Sequence, residues 1–259
     1  MHDLFDLAGK VALVTGGSRG IGEMIAEGFV NSGVKTYISA RKAKACDATA
    51  RRLSANGTCV SIPADLSTMD GVAHLAKEFG RAESRLHILV NNAGAAWGAP
   101  IDEFPESGWD KVMDINVKGP FFLTQALLSL LEAAASAADP ARIINVGSID
   151  GLNVSRMPTY SYGPSKAAVH HLTRTLATHL AHRHITANAI APGPFPSQMM
   201  AHTLKTQGEK IRNAVPLGRI GEPADMAGTA IYLASKAAAY VSGAVIPVDG
   251  GIVAAAGTL

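Results

Sequence analysis

Three side chains whose types suit proton transfer stand close together in the middle of the chain. Tyr162 and Lys166 are four residues apart at the start of a predicted helix, and Ser148 follows a predicted strand. Residues four apart share one helix face, so the ammonium group of Lys166 should lie beside the phenol. A free tyrosine has a pKa of about 10, and a nearby cation favours its anion. The spacing therefore predicts that Lys166 lowers the pKa of Tyr162 and that Tyr162 acts as an acid and base.

Ser148 adds a hydroxyl to this pair. A hydroxyl at a strand end can polarise a substrate oxygen, which completes a site that gives a proton while hydride reaches a carbonyl carbon. A tyrosine and a lysine at this spacing are, on their own, equally typical of a solvated helix surface. The serine and a glycine-rich turn upstream favour the catalytic interpretation.

That glycine-rich turn has the pattern of a dinucleotide site. A strand over 11–15 runs directly into Gly-Gly-Ser-Arg-Gly-Ile-Gly and then into a helical pattern. Glycines permit the tight turn and let the backbone approach a pyrophosphate, which binds at a helix N-terminus. A purely structural turn is the alternative. The residues predicted to bind the cofactor here are Gly16, Ser18, Arg19, Gly20, Ile21 and Gly22.

The residues after the second and third strands bear on which dinucleotide binds. An acid after the second strand would hold the ribose 2′-hydroxyl of NAD, but the sequence has Arg41 and Lys42 there. Arg41, with Arg19 in the turn, presents a fork of donors to a 2′-phosphate, which favours NADP(H). The alternative is that these cations only begin a solvated helix. Asp65-Leu66 is a candidate contact for the adenine amino group, and Asp65 suits a helix N-cap equally well.

Apolar segments alternating with helical patterns must position these residues. Most of the apolar segments are continuous, as expected of parallel strands covered by helices on both faces. Strands are predicted over 11–15, 34–39, 58–62, 86–90, 142–146, 185–190 and 244–248. Helices are predicted over about 20–31, 43–55, 68–80, 107–132, 162–182 and 223–236. The pattern predicts an α/β single domain over 1–259, built on a doubly wound, seven-stranded parallel sheet, with a loop over about 194–216 acting as a substrate lid.

Composition excludes several classes of function. The 259 residues are 47% hydrophobic with a formal charge of +2, which gives no broad basic field for nucleic acid or anionic lipid. Cys46 and Cys59 lack metal-ligand spacing and are predicted to be buried, reduced thiols. No apolar run is long enough to span a membrane and the amino end lacks a signal-peptide pattern, so we expect a cytoplasmic protein.

A group of histidines late in the chain raises the question of a metal site. No cysteine or carboxylate nearby completes a ligand set, so no metal is predicted. We expect these residues to be partly exposed on helices. They are His170, His171, His179, His182 and His184.

Motifs along nearly the whole chain resemble those of the short-chain dehydrogenase/reductase family. They are Thr-Gly-x-x-x-Gly-x-Gly at 15–22, Asn-Asn-Ala-Gly at 91–94, Asn116 in Asn-Val-Lys-Gly, Ser148, Tyr162 with Lys166, Pro192-Gly193 and Val-Asp-Gly-Gly at 248–251. The resemblance implies a Rossmann fold and a catalytic tetrad of Asn116, Ser148, Tyr162 and Lys166. Asn116 would hold a relay water, and Lys166 would bind the nicotinamide ribose. The resemblance further implies adenosine contacts from Asn92, Ala93 and Gly94 and nicotinamide contacts from Pro192, Gly193 and Ser197.

Within that family the chain looks like 3-oxoacyl-acyl-carrier-protein reductases of the rhamnolipid type, while residues 116–125 look like relatives named gluconate 5-dehydrogenase. We therefore expect NADPH-dependent reduction of a 3-oxoacyl thioester on acyl carrier protein or CoA. The alternatives are a polyol or sugar-acid dehydrogenase and a non-catalytic nucleotide-binding sensor. Arg183 matches a basic position that helps such reductases to dock the acidic carrier. A second basic position is replaced by Ala137, Ala138 and Asp139.

Two groups of apolar residues remain. One group either lines an apolar substrate pocket or packs in the core: Trp97, Met157, Phe195, Met199, Met200 and Leu204. The other group has more apolar residues than are needed to cover one face of the sheet, which predicts a contact between subunits. Its members are Phe121, Phe122, Leu127, Leu128, Leu130 and Leu131. The family resemblance implies a homotetramer.

Overall fold

One parallel sheet carries the structure. The computed structural model describes residues 4–197 and 200–255, apart from the side chains of 201–204. Seven strands are hydrogen-bonded in the order β3-β2-β1-β4-β5-β6-β7. They are β1 Val11–Thr15, β2 Lys35–Ser39, β3 Cys59–Ser61, β4 Ile88–Asn91, β5 Ala141–Val146, β6 Ile185–Pro192 and β7 Val245–Val248. The order reverses between β1 and β4, and a cleft opens there at the carboxyl ends of the strands.

Helices cover both faces of this sheet. They are α1 Gly20–Asn31, α2 Ala43–Leu53, α3 Met69–Ala82, α4 Glu106–Met113, α5 Gly119–Ala126, α6 Leu128–Ala134, α7 Tyr162–Leu180, α8 Ala201–Ala214, α9 Pro223–Ala234 and α10 Ile252–Ala255. Helices α1, α2 and α9 pack in one hydrophobic core, and α3, α5, α6 and α7 pack in the other. Every residue of β5 and β6 is buried. The predicted doubly wound α/β architecture of Rossmann type is therefore confirmed.

The single helix predicted over 107–132 is wrong, because the chain is divided there into α4, a π-helical turn, α5 and α6. The turn spans Asp114–Lys118. Pro120 has no N–H to donate to the carbonyl of Asn116, which interrupts the α-helical ladder at this point. Leu127, with φ −99° and ψ 4°, separates α5 from α6.

The apolar residues of α5 and α6 divide between the core and the surface. Leu127 and Leu131 are fully buried in the core, so the expectation that they lie in a contact between subunits is wrong. Phe121 is 39% exposed and its ring meets Phe122 edge to face. Only part of the predicted subunit-contact group is therefore available at the surface.

The segment predicted as a loop over 194–216 contains a helix instead. Helix α8 fills most of it, with a kink at Gln207, where φ is −133°. Its residues are mostly polar and include Thr203, Thr206 and Gly208, which have low helix propensity, so the segment has the composition of a loop. Within the part of the chain that the structure describes, no helix is long and apolar enough to cross a bilayer.

Candidate active site

A cavity of about 480 Å³ lies at the carboxyl edge of the sheet. Its walls come from the residues that follow β1, β2, β4, β5 and β6. Ligands bind at this place in doubly wound sheets because the loops diverge where the strand order reverses. The cavity therefore brings the predicted glycine turn and the predicted proton-transfer residues into one site.

The glycine turn forms the floor at one end of the cavity. Gly16 and Gly20 have φ values of +65° and +56°, a region that favours glycine. A Cβ on Gly16 would lie 2.7 Å from Nδ2 of Asn92, so the turn has no room for a side chain there. The N-cap side chain of α1 makes no hydrogen bond to the first helical turn. The first N–H groups of the helix are thus suited to an anion.

Most of the predicted cofactor residues line this end. Gly16, Ser18, Arg19, Gly20, Ile21, Arg41, Leu66, Asn92, Ala93 and Gly94 all line the cavity. Gly22 lies beneath the turn, against Gly16 and Asn92, and serves close packing. Ala45 and Ala64 also line this end but were not singled out from the sequence, since no motif marks them.

Asp65 has a different place from the one expected. Its carboxylate accepts hydrogen bonds from Ser67 N and Ser67 Oγ at 3.1 and 2.7 Å, and Asp65 is not among the residues that line the cavity. The helix-cap alternative is wrong, because the N-cap of α3 is Thr68, whose Oγ1 accepts from Gly71 N at 3.0 Å. Asp65 instead shapes the turn before that helix.

Thr15 ties the end of β4 to the glycine turn. Its Oγ1 accepts from the N–H groups of Asn92 and Ala93 at 2.9 and 3.0 Å and donates to Val90 O at 3.2 Å. Asn92 Nδ2 donates back to Thr15 O at 2.8 Å. These bonds hold the Asn-Ala-Gly segment at the cavity wall.

Ser148, Tyr162 and Lys166 meet at the other end of the cavity. Tyr162 begins α7, and the Ser148 hydroxyl lies close enough to its phenol to lower the phenol pKa. Lys166 is 5% exposed, its Nζ donates to Val146 O at 2.8 Å, and Nζ lies 5.6 Å from the centre of the Tyr162 ring. The three side chains predicted for proton transfer are therefore adjacent.

The prediction that Lys166 lowers the pKa of Tyr162 is wrong for the protein alone. Burial raises the pKa of Tyr162 to about 12, with the hydrogen bond from Ser148 opposing this and the charge of Asp150 adding to it. Burial also lowers the pKa of Lys166 to about 8. Removal of each group from water disfavours its charged form, and this is the largest cause of both pKa shifts. The phenol therefore stays protonated at neutral pH.

Asn116 lies behind these residues in the π-helical turn. Its amide accepts from Ala95 N at 2.8 Å and donates to Ala95 O at 3.0 Å and to Ser165 Oγ at 2.9 Å. Ser165 in turn donates to Tyr162 O at 2.6 Å. Asn116 thus links the turn beside Gly94 to the first turn of α7. Ser165 was missed from the sequence because its role depends on this tertiary contact.

The wall between the two ends contains the residues expected near a nicotinamide and a substrate. Pro192, Gly193 and Ser197 line it, together with Met157, Phe195 and Met200. Trp97 does not line it, since its ring covers Gly108 and lies 4.9 Å from Nζ of Lys111. Met199 and the side chain of Leu204 are outside the described residues.

The remaining predictions concern groups away from the cavity. Cys46 and Cys59 are free and buried, and burial raises the pKa of each thiol to about 11. His170 is 3% exposed, so the expectation that it is partly exposed is wrong. Its ring lies against Gly147 and Gly151, which leave space for it. Among residues 4–197 and 200–255, no three His, Cys, Asp or Glu side chains come together as a metal site.

Known proteins with similar sequences and structures were found for nearly the whole chain. A family model described as enoyl-(acyl carrier protein) reductase matches residues 16–253. The rhamnolipids biosynthesis 3-oxoacyl-acyl-carrier-protein reductase of Pseudomonas aeruginosa is 52% identical over 97% of this chain and 99% of its own length. Galactitol 2-dehydrogenase (L-tagatose-forming) of Cereibacter sphaeroides is 38% identical over 96% of each chain.

Among solved structures, the Pseudomonas aeruginosa RhlG/NADP active-site complex superposes with a TM-score of 0.95. It is 52% identical and covers 98% of this chain and 100% of its own. The likeness thus extends from the sequence motifs to the arrangement of the elements that hold them. The chain belongs to the short-chain dehydrogenase/reductase family.

Proposed function

We propose that this protein is an NADPH-dependent reductase that converts a 3-oxoacyl thioester to the 3-hydroxyacyl form. The observation that carries the proposal is one cavity with Ser148, Tyr162 and Lys166 at one end and Arg41 beside the glycine turn at the other. The Pseudomonas aeruginosa relative, whose name states this reaction, supports the choice of substrate. The complex of RhlG with NADP supports the choice of cofactor.

The residues present fit NADP(H). The closed space at Gly16 and the open first turn of α1 suit a pyrophosphate, and Arg41 with Lys42 suits a 2′-phosphate. Leu66, Asn92, Ala93 and Gly94 would hold the adenosine, and Pro192, Gly193 and Ser197 would hold the nicotinamide. When bound, NADPH supplies the hydride that reduces the carbonyl carbon.

The protein's own residues supply the proton and position the substrate. Ser148 donates a hydrogen bond to the carbonyl oxygen, and Tyr162 transfers its phenolic proton to that oxygen as the hydroxyl forms. The raised pKa of Tyr162 keeps this proton available at neutral pH. Lys166, adjacent to the ring, stabilises the phenolate that remains. In the reverse direction Tyr162 accepts the proton.

Replacing Tyr162 by phenylalanine tests the assignment. Loss of the proton donor should reduce kcat for acetoacetyl-CoA by roughly 10³-fold, while the Kd for NADPH by fluorescence titration stays within about twofold. Tyr160→Phe is the matched control, because Tyr160 is 39% exposed and packs edge to face on Phe104. Retained turnover in Tyr162→Phe would refute the proposal.

Arg41→Ala tests the cofactor. Removal of the guanidinium should weaken NADPH binding by roughly 30-fold and leave NADH binding within about twofold, because the lost partner is the 2′-phosphate. Arg51→Ala, on the exposed surface of α2, controls for the change in charge. Equal losses for both nucleotides would show that Arg41 does not read the 2′-phosphate.

A polyol dehydrogenase is the second candidate. It is favoured by the Cereibacter sphaeroides relative and by Ser155 and Thr159, two hydroxyl side chains in the cavity wall. A panel of acetoacetyl thioesters, galactitol, gluconate and cyclic ketones, followed by NADPH absorbance, separates the two. A thioester kcat/KM at least about tenfold above that of every polyol supports the first proposal.

Carrier docking and assembly belong to the same proposal. Arg183 is ion-paired with Glu132 at 2.6 Å, and an acidic carrier would have to compete for this pair. Trp109 and Phe121, 42% and 39% exposed on α4 and α5, suit burial against another copy in a homotetramer. Light scattering after gel filtration measures the assembly. The docking is measured by comparing the kcat/KM of wild type and Arg183→Ala for acyl-carrier and CoA thioesters.

A further inference from the structure

A single carboxylate lies at the reacting end of the cavity. Asp150 sits two residues after Ser148 in the turn Ile149–Gly151, and its N–H donates to Ser148 Oγ at 3.1 Å. It is the only acidic residue among the described residues that line the cavity. A Cβ on Gly163, the residue after Tyr162, would lie 3.1 Å from Asp150 O, so this turn packs against the first turn of α7. The charge of Asp150 adds to the raised pKa of Tyr162. The proton-transfer mechanism uses no such group.

This carboxylate does not serve to hold the fold together. Within residues 4–197 and 200–255, no hydrogen bond or ion pair reaches its oxygens, and burial raises its pKa. A partly buried carboxylate without a partner destabilises a protein. Unpartnered groups of this kind concentrate in sites that bind or transform a ligand.

The charges of the cavity are separated along its length. Arg19, Arg41 and Lys42 line the end suited to the 2′-phosphate, whereas Asp150 lines the reacting end. Lys166, the cation at the reacting end, is directed at Val146 O. The substrate walls there are largely apolar, with Ile149, Met157, Phe195, Met200 and Ile211. Apolar walls exclude water, so an anion next to Asp150 would be poorly screened.

We infer that Asp150 sets the charge selectivity of the substrate site, excluding carbonyl compounds whose carboxylate is one methylene group away from the reacting carbonyl and admitting neutral esters and thioesters. This inference rests on the proposed carbonyl reduction at Tyr162. A free 3-oxo acid carries its negative charge two bonds from the reacting carbonyl, whereas its thioester carries a neutral group at the same position. Asp150 would thus restrict reduction to the activated acyl form and reject free 3-oxo acids.

A pair of substrates with the same acyl chain, one neutral and one negatively charged at this position, measures the effect. Ethyl acetoacetate and acetoacetate share the reacting carbonyl and the carbon chain. We expect wild-type kcat/KM to favour the ester by roughly 100-fold. Asp150→Asn, which keeps the shape and removes the charge, should reduce that ratio by roughly tenfold, mainly through a lower KM for acetoacetate. Asp150→Ser serves as the second variant if the amide impairs folding.

Asp102→Asn is the matched control, since Asp102 is exposed on the turn 101–103 and does not line the cavity. It should leave the ratio unchanged. A ratio in both Asp150 variants within twofold of wild type, with the ester still reduced, would overturn the inference and leave the proposed function intact. Absence of NADPH oxidation with every ester and thioester would instead overturn the proposed function, and the inference with it.

The pH dependence gives a second measurement. Asp150 lines the same end of the cavity as Tyr162 and Ser148, and Lys166 is the cation beside the phenol. His170 on α7 is the other titratable group packed against this turn, with its ring against Gly151. The negative charge of Asp150 disfavours the phenolate, so its removal should lower the pH at which reduction of ethyl acetoacetate declines on the alkaline side. An alkaline limb at the wild-type position in Asp150→Asn would contradict the placement of this charge beside Tyr162.

Discussion

The two edges of the sheet differ in whether their buried ionisable groups have ion-pair partners. At the carboxyl edge, Asp150, Tyr162, Lys166 and His170 form no ion pairs among the described residues, and burial displaces the pKa of each from its ordinary value. At the amino edge, the buried charges are paired. The difference separates the part of the molecule that does chemistry from the part that stabilises it.

The amino edge is organised around Asp139. Lys10 Nζ lies 2.5 Å from its Oδ2, and Arg142 Nη2 lies 3.3 Å from its Oδ1. Arg142, 1% exposed, also donates to the carbonyls of Pro140 and Ser235. Charges in this arrangement stay ionised because each meets an opposite charge or a carbonyl dipole. They link β1, β5 and the turn after α9.

Removal of Arg142 should cause the largest loss. Arg142→Met leaves Asp139 with one cation, removes the Arg142 donor from Pro140 O and removes one of the two donors to Ser235 O, so we expect the free energy of unfolding to fall by about 4 kcal/mol at pH 7. Urea unfolding followed by circular dichroism measures this. Arg81→Met, at an exposed ion pair with Glu78, is the control and should change stability by less than about 0.5 kcal/mol. Since Arg142 lies at the far edge, kcat of the folded fraction should not change.

His170 tests the carboxyl edge. Burial, with the charge of Lys166 adding to it, lowers its pKa from 6.5 to about 4. The unfolded chain therefore takes up a proton before the native protein does, and stability should fall by about 3 kcal/mol as the pH drops from 6.5 to 4. His170→Leu should remove most of this slope in urea titrations.

His179→Leu controls for the loss of an imidazole on the same helix, because His179 is exposed on α7. It should retain the acid slope of the wild type. If His170→Leu retained that slope as well, the ring would be solvated or partnered in the native protein. His170 would then no longer support the difference between the two edges.

The sequence predicted most elements of the fold because most of the parallel strands in this doubly wound sheet are rich in apolar residues. The buried segments Ala141–Val146 and Ile185–Pro192 are examples, as their composition needs no tertiary information to interpret. The glycine turn and the Tyr–Lys pair were equally accessible, since their geometry follows from local spacing. Helix α8 was missed because its mostly polar sequence, with two threonines and Gly208, has the composition of a loop.

What the sequence could not give are quantities that depend on burial. The pKa of Tyr162 was expected to fall because of its spacing from Lys166, but the loss of water around the phenol raises it instead. His170 was misjudged for the same reason. Asp150 belongs to no motif, and the one indication of its place was its position two residues after Ser148 at the end of a predicted strand.

The ion pair of Lys35 and Glu83 gives the smallest expected effect, because it is the exposed case among the ion pairs of the amino edge. Their ion pair is 2.5 Å long, but Lys35 is 45% exposed, so Lys35→Met should cost only about 0.5–1 kcal/mol at pH 7. Burial alone would raise the pKa of Glu83, but hydrogen bonds from Lys35 and Tyr37 outweigh it and hold the pKa below 4.5. This contribution is present above pH 4.5 and is lost as the pH falls through the lower folded pKa, so the difference from wild type should become smaller in acid. Urea titrations at pH 7 and at a series of acidic pH values measure it. A cost as large as that of Arg142→Met would mean that burial does not decide the strength of the pairs along the amino edge.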